Sequence, residues 1–119
     1  MTINELQCVY TAHPNSTALR DLLHNKEIRH IYCQGLQLSA SALFFSSFVS
    51  SAQHPYVFVL SDLEEAGYYY HDFAQLLGTD NVLFFPSSFR RAAKYGQKDT
   101  ANEILRTEVL GRLRTATEP

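Results

Sequence analysis

The chain has 119 residues, 45% of them hydrophobic and 18% charged, which bounds it to one ordinary globular domain with room for a single core. Its formal net charge of -2 excludes a domain that traps nucleic acid by overall charge, so any DNA contact has to come from a local patch. Serines, histidines and charges interrupt every apolar run, which excludes a membrane span, and "MTINELQCVY" lacks the basic leader and apolar stretch of a secretory signal.

Residues 3–12 and 16–25 carry helical periodicity. Ser16 is the expected cap of the second helix, Leu19, Leu22 and Leu23 form its apolar stripe, and His13-Pro14-Asn15 separates the pair. These N-terminal helices occupy residues 1–26, and residues 27–119 read differently. "EIRHIYCQ" (27–34) alternates as a first strand, and Ser39 to Ala52 follows as a helix rich in Ala, Ser and Phe.

The junction between them, "IYCQGLQLSASALFFSSF", has the frame of a phosphate loop, G-x-x-x-x-G-K-[ST], without its chemistry. Counting from Gly35, the second glycine falls on Ala40, the lysine on Ser41 and the magnesium-binding hydroxyl on Ala42. Ser41 offers a hydroxyl but no positive charge, so only weak anion attraction to the helix N-terminus is left. The plain alternative is an ordinary strand–helix turn.

"PYVFVLS" (55–61) is a continuous apolar run, the pattern of a strand covered on both faces. Asp62 with Glu65 three residues on is an acidic form of the capping box, and the helix runs through "YYYHDFAQLL" to Gly78. Asp62, Glu64 and Glu65 sit where ligands gather in open α/β sheets, although complementing the helix dipole accounts for them. Of Tyr68, Tyr69, Tyr70 and Phe73, helical spacing turns at least two toward the core. "NVLFFP" (81–86) is a third short strand.

"SSFRRAAKYGQK" (87–98) gathers Arg90, Arg91, Lys94 and Lys98 around Phe89 and Tyr95, a candidate contact for nucleic acid or an acidic partner. A last amphipathic helix, about 100–114, presents Ala101, Ile104, Leu105, Val109 and Leu113 on one face. Cys8 and Cys33 lie in apolar surroundings without framework spacing, which suggests reduced core thiols. The five histidines are scattered, so no metal centre is expected, and no Ser-His-Asp or Cys-His spacing marks a catalytic site.

Strand and helix in alternation predict an α/β fold, a small parallel sheet flanked by helices with right-handed crossovers. Three strands leave an open edge that would favour self-association, and the chain reads as cut from something larger.

"GLQLSASALFFSSF", "VFVLSDLEEAGYYYHDFAQLLG" and "NVLFFPSSFRRAAKYGQKDTANEILRTEVLGRL" together resemble the N-terminal region of bacterial transcription-repair coupling factor, the Mfd family. The resemblance runs from about Gly35 to Leu113, with "FFPSS" and "RTEVLGRL" the most telling phrases. It implies a UvrB-like module whose first subdomain is a RecA-like, P-loop-type layer with a degenerate phosphate loop at Gly35, Ala40, Ser41 and Ala42. It also implies a cytoplasmic, non-catalytic scaffold in transcription-coupled nucleotide excision repair. Such a scaffold supports recruitment of UvrA through an adjacent subdomain and packs against the remainder of the parent protein in its autoinhibited form.

No cofactor is implied for this stretch, because ATP and magnesium serve a separate translocase module in the family. RNA polymerase and DNA are met by other modules. UvrB-like proteins grip DNA with an aromatic β-hairpin after the third strand, whereas the connection from Pro86 to Asp99 is short and basic, so damage verification is not implied. Three rivals stand beside the scaffold: a nucleotide-binding helicase-like domain using Ser41, a small DNA-binding α/β module using residues 90–98, and a free-standing α/β signalling domain.

Overall fold

The helices that begin at Ile3, Pro14 and Leu63 do so where a side chain caps the first turn. The computed structural model describes residues 1–49, 55–87 and 100–115. Helix α1 (Ile3–Ala12) opens on a reciprocal capping box: the Thr2 hydroxyl accepts from the Glu5 amide at 3.2 Å, and the Glu5 carboxylate accepts from the Thr2 amide at 2.6 Å. His13 ends it in an extended conformation and caps helix α2 (Pro14–His24) with its ring Nδ1, which accepts from the Asn15 amide at 3.1 Å. Pro14 sits at the first helical position, where its missing N–H costs nothing. Helix α2 therefore starts two residues earlier than periodicity suggests, and Ser16 is a buried helical residue instead of the cap.

Helix α3 (Ser39–Val49) follows a turn with two left-handed residues, Gly35 at φ 91° and Leu38 at φ 52°. The expected extension of this helix to Ala52 lies outside the described residues. Helix α4 (Leu63–Leu77) is capped by Asp62, whose carboxylate accepts from the Glu65 amide at 2.7 Å. Gly78, at φ 89°, stops it in a conformation that suits glycine. A short 3-10 turn, Thr79–Asn81, leads on, and helix α5 (Thr100–Thr115) closes the described chain.

The core is a helix-on-helix contact centred on α3, which packs against α1 and α4 and also touches α2. Leu19, Phe44 and Phe48 are buried together, with Tyr10, Leu36, Phe45, Val49 and Tyr56 against them. The three α3 phenylalanines meet edge-to-face, with ring centroids 5.5–5.9 Å apart. A polar link crosses the same region: Gln7 Nε2 on α1 donates to Ser46 Oγ of α3 at 3.4 Å and to the Leu76 carbonyl of α4 at 3.3 Å.

This architecture overturns the expected α/β layer. Helices take 67% of the described residues, which contain no strand and no sheet. The runs predicted as strands, 27–34, 55–61 and 81–86, make no ladder within the described residues. For the 55–61 run the physical reason is visible in how it is covered. Tyr56 and Phe58 turn inward, Tyr56 onto Phe48 with centroids 6.2 Å apart and Phe58 onto Phe45 and Phe73 at 5.5 and 4.8 Å. Val57 and Val59 between and beyond them point outward, 82% and 90% exposed.

The continuous apolar pattern therefore does not mark a strand covered on both faces: helices cover only one face, and no described element pairs with the backbone or shields the other. A short apolar run reads alike whether it will be a central strand or an extended segment anchored by aromatics. Without a sheet there is no sheet edge among the described residues for the expected self-association to use. Burial of α3 against its neighbouring helices, instead of a layered sheet, organises the described residues of this region, 27–49 and 55–87.

The cysteines also differ from expectation. Cys8 and Cys33 are both free and exposed. Cys8 lies on α1, a helix with no buried residue, and Cys33 lies in an exposed run without regular secondary structure, so apolar neighbours in sequence do not enclose either thiol.

Helix α5 meets the rest of the molecule through cations. The Arg106 guanidinium lies 5.4 Å from the Phe85 ring centroid, and Arg112 donates to the Asp80 carbonyl at 2.7 Å. Of its predicted apolar face, Leu105 and Val109 are half-buried, while Ala101, Ile104 and Leu113 remain exposed.

Candidate functional site

The stretch with a phosphate-loop frame folds as the turn into α3, and its polar atoms are already engaged. Ala40 N–H donates to the Gln37 carbonyl and Ser41 N–H to the Leu38 carbonyl, both at 3.2 Å. In a phosphate loop, amides of this kind point at the ligand. Here two of them close the first turn of the helix on itself.

Ser41, at the frame's lysine position, is only 3% exposed. Its Oγ donates to the Leu38 carbonyl at 2.7 Å and lies 2.6 Å from the Tyr69 hydroxyl of α4. Ala42 is buried, Ala40 is half-buried and Gly35 faces open space. Sequence order thus brings Ala40, Ser41 and Ala42 to one helix start, as expected, while the chemistry they perform is packing of α3 on α4.

An open cavity of about 130 Å³ lies at this end of the molecule, lined by Ile3, Ser39, Leu43, Asp72, Gln75 and Leu76. Its one acidic lining residue is Asp72, a side chain that offers no attraction to an anionic ligand. Among the described residues, no three His, Cys, Asp or Glu side chains converge as a metal site would require.

The acidic group at the start of α4 serves the helix terminus. Glu65 does not return to the cap residue, as a capping box would have it. Its carboxylate reaches one residue further back, accepting from Ser61 Oγ at 2.5 Å and from the Ser61 amide at 3.0 Å. The Ser61 hydroxyl first, and its amide second, hold the Glu65 carboxyl below its ordinary value of 4.5, against a smaller opposing effect of desolvation and of Asp62.

A carboxyl depressed by folding contributes stability that is present above its unfolded pKa and is lost as pH falls through the folded one. Ser61→Ala should therefore move the Glu65 titration, followed by carboxyl carbon NMR, up toward 4.5. The same variant should lose part of the acid-side dependence of stability. An unchanged titration would mean that Ser61 does not hold this carboxylate.

Arg90, Arg91, Lys94 and Lys98, with Phe89 and Tyr95, lie outside the described residues. Of the α4 aromatics, Phe73 is buried and Tyr69 half-buried, facing helix α3 where a sheet was expected, while Tyr68 and Tyr70 are exposed. The Ser41–Tyr69 link was not legible in the chain, because its partners stand 28 residues apart and no local pattern joins them. The Arg106–Phe85 contact is hidden for the same reason. No protein-family model, curated protein or solved structure matches this chain.

Proposed function

We propose that the chain is a non-catalytic scaffold, the role that the sequence resemblance assigns to the first part of the UvrB-like module in transcription-repair coupling factors. In that role it supports an adjacent UvrA-recruiting subdomain and packs within its parent protein during transcription-coupled excision repair. The observation that carries the scaffold role is the commitment of Ser41: the group in the lysine position is buried and spends its hydroxyl on Leu38 and Tyr69. The amides of Ala40 and Ser41 are spent likewise on carbonyls of the turn. The family part of the proposal rests on the quoted sequence phrases alone, and it carries no RecA-like architecture with it.

Calorimetry with Mg-ATP tests the scaffold role. A triphosphate here finds neither a lysine nor a magnesium ligand, and a helix terminus alone offers only about 0.3–1 kcal/mol. Binding should be no tighter than about 1 mM, roughly −4 kcal/mol, with no hydrolysis. A micromolar, magnesium-dependent heat that disappears in Ser41→Glu would instead establish a nucleotide-binding domain. The family part is tested separately by reading the genomic frame past the codon for Pro119: a distant intact phosphate loop is expected, and an immediate stop codon would overturn it.

A further inference from the structure

We infer that Tyr69 is the latch of the Gly35–Leu38 turn, so that this turn and helix α4 form one coupled conformational element. Leu38 is held at φ 52°, a left-handed conformation that a leucine disfavours by roughly five- to thirtyfold. Its side chain is 90% exposed, so packing of that side chain does not hold it there. What does hold it is its carbonyl, which accepts twice from Ser41: from the amide at 3.2 Å and from Oγ at 2.7 Å.

A serine hydroxyl has one proton, and Ser41 gives that proton to Leu38. At 2.6 Å, therefore, the Tyr69 hydroxyl is the donor and Ser41 Oγ the acceptor. The relay runs Tyr69 to Ser41 to Leu38, from α4 through a buried side chain into a strained turn. Each link polarises the next. Lengthening the Tyr69–Ser41 separation by about an ångström takes the first donor beyond bonding distance, and the Ser41 hydroxyl then loses the donor that orients it toward the Leu38 carbonyl. This coupling stands apart from any nucleotide or repair role.

Amide hydrogen exchange on the full 119-residue chain tests it. In Tyr69→Phe, the Ala40 and Ser41 amides should exchange about three- to tenfold faster, the equivalent of one neutral hydrogen bond. The amides of Phe48 and Phe73, inside α3 and α4, should keep their rates. Ser41→Ala removes the middle of the relay, so adding Tyr69→Phe to it should change nothing further.

Equal acceleration at Phe48 and Phe73 would reduce the contact to general stability and overturn the latch. So would unchanged rates at 40 and 41, or a Tyr69→Phe effect that persists in Ser41→Ala. Should Tyr69→Phe fail to fold, Ser41→Ala alone decides, by whether its acceleration is confined to residues 40 and 41 or spread through α3 and α4.

Discussion

Phe48→Ala should lower the free energy of unfolding by about 3–5 kcal/mol, the ordinary cost of deleting a buried phenylalanine and leaving its cavity. Phe48 is 4% exposed and touches Phe44, Phe45 and Tyr56 edge-to-face, with centroids at 5.9, 5.7 and 6.2 Å. The void cannot close cheaply. Helix α3 is held by α1 on one side and α4 on another, and the Gln7 link fixes their spacing. Against a total of about 5–15 kcal/mol for a domain of ordinary stability, such a loss leaves a marginal fold. At roughly 4 °C per kcal/mol, the midpoint of thermal unfolding should fall on the order of 15 °C. Phe48→Leu, which keeps most of the volume, should cost less than about 1.5 kcal/mol. Urea unfolding of both variants gives the numbers, and a loss below about 1 kcal/mol in Phe48→Ala would remove α3 from the centre of the core.

The helices were legible in the chain because their signals are local. Asp62 with Glu65, and Gly78, each act within four residues and each marks a terminus that the structure keeps, and the Thr2–Glu5 box that opens α1 is just as local although the periodicity of 3–12 alone marked that helix. The small correction at α2 is local as well: His13 can cap through its ring and Pro14 can occupy the first turn, so a motif that reads as a break serves as a start. The expected sheet is absent because a short continuous apolar run such as 55–61 reports only that a segment has an inner face. It does not say whether a second layer covers the outer one, and at Val57 and Val59 none of the described residues does. The phosphate-loop frame was half legible. The missing lysine and magnesium ligand are evident at Ser41 and Ala42, but what replaces them is a tyrosine 28 residues away on another helix. Long-range pairs of this kind leave no trace in one sequence.

The same contrast gives the second large effect. Phe73→Ala should cost about 3–5 kcal/mol, because Phe73 is 4% exposed on the inner face of α4, with Phe58 at 4.8 Å and Tyr69 at 6.1 Å between ring centroids. Val59→Lys should change stability by no more than about 0.5 kcal/mol, since a 90% exposed side chain leaves nothing unpaired when it becomes a charge. A layered α/β domain demands the opposite ranking. There the 55–61 run is a central strand, Val59 is enclosed by one helical layer, and a lysine in that place buries an uncompensated ammonium at a cost that unfolds a small domain. Urea unfolding of the two variants side by side decides between the architectures. A Val59→Lys loss as large as that of Phe73→Ala would mean that a covering layer lies over Val57 and Val59. A neutral Val59→Lys beside a crippling Phe73→Ala leaves the single covered face as the only geometry consistent with both, because one run cannot be sealed on both sides and accept a charge on either.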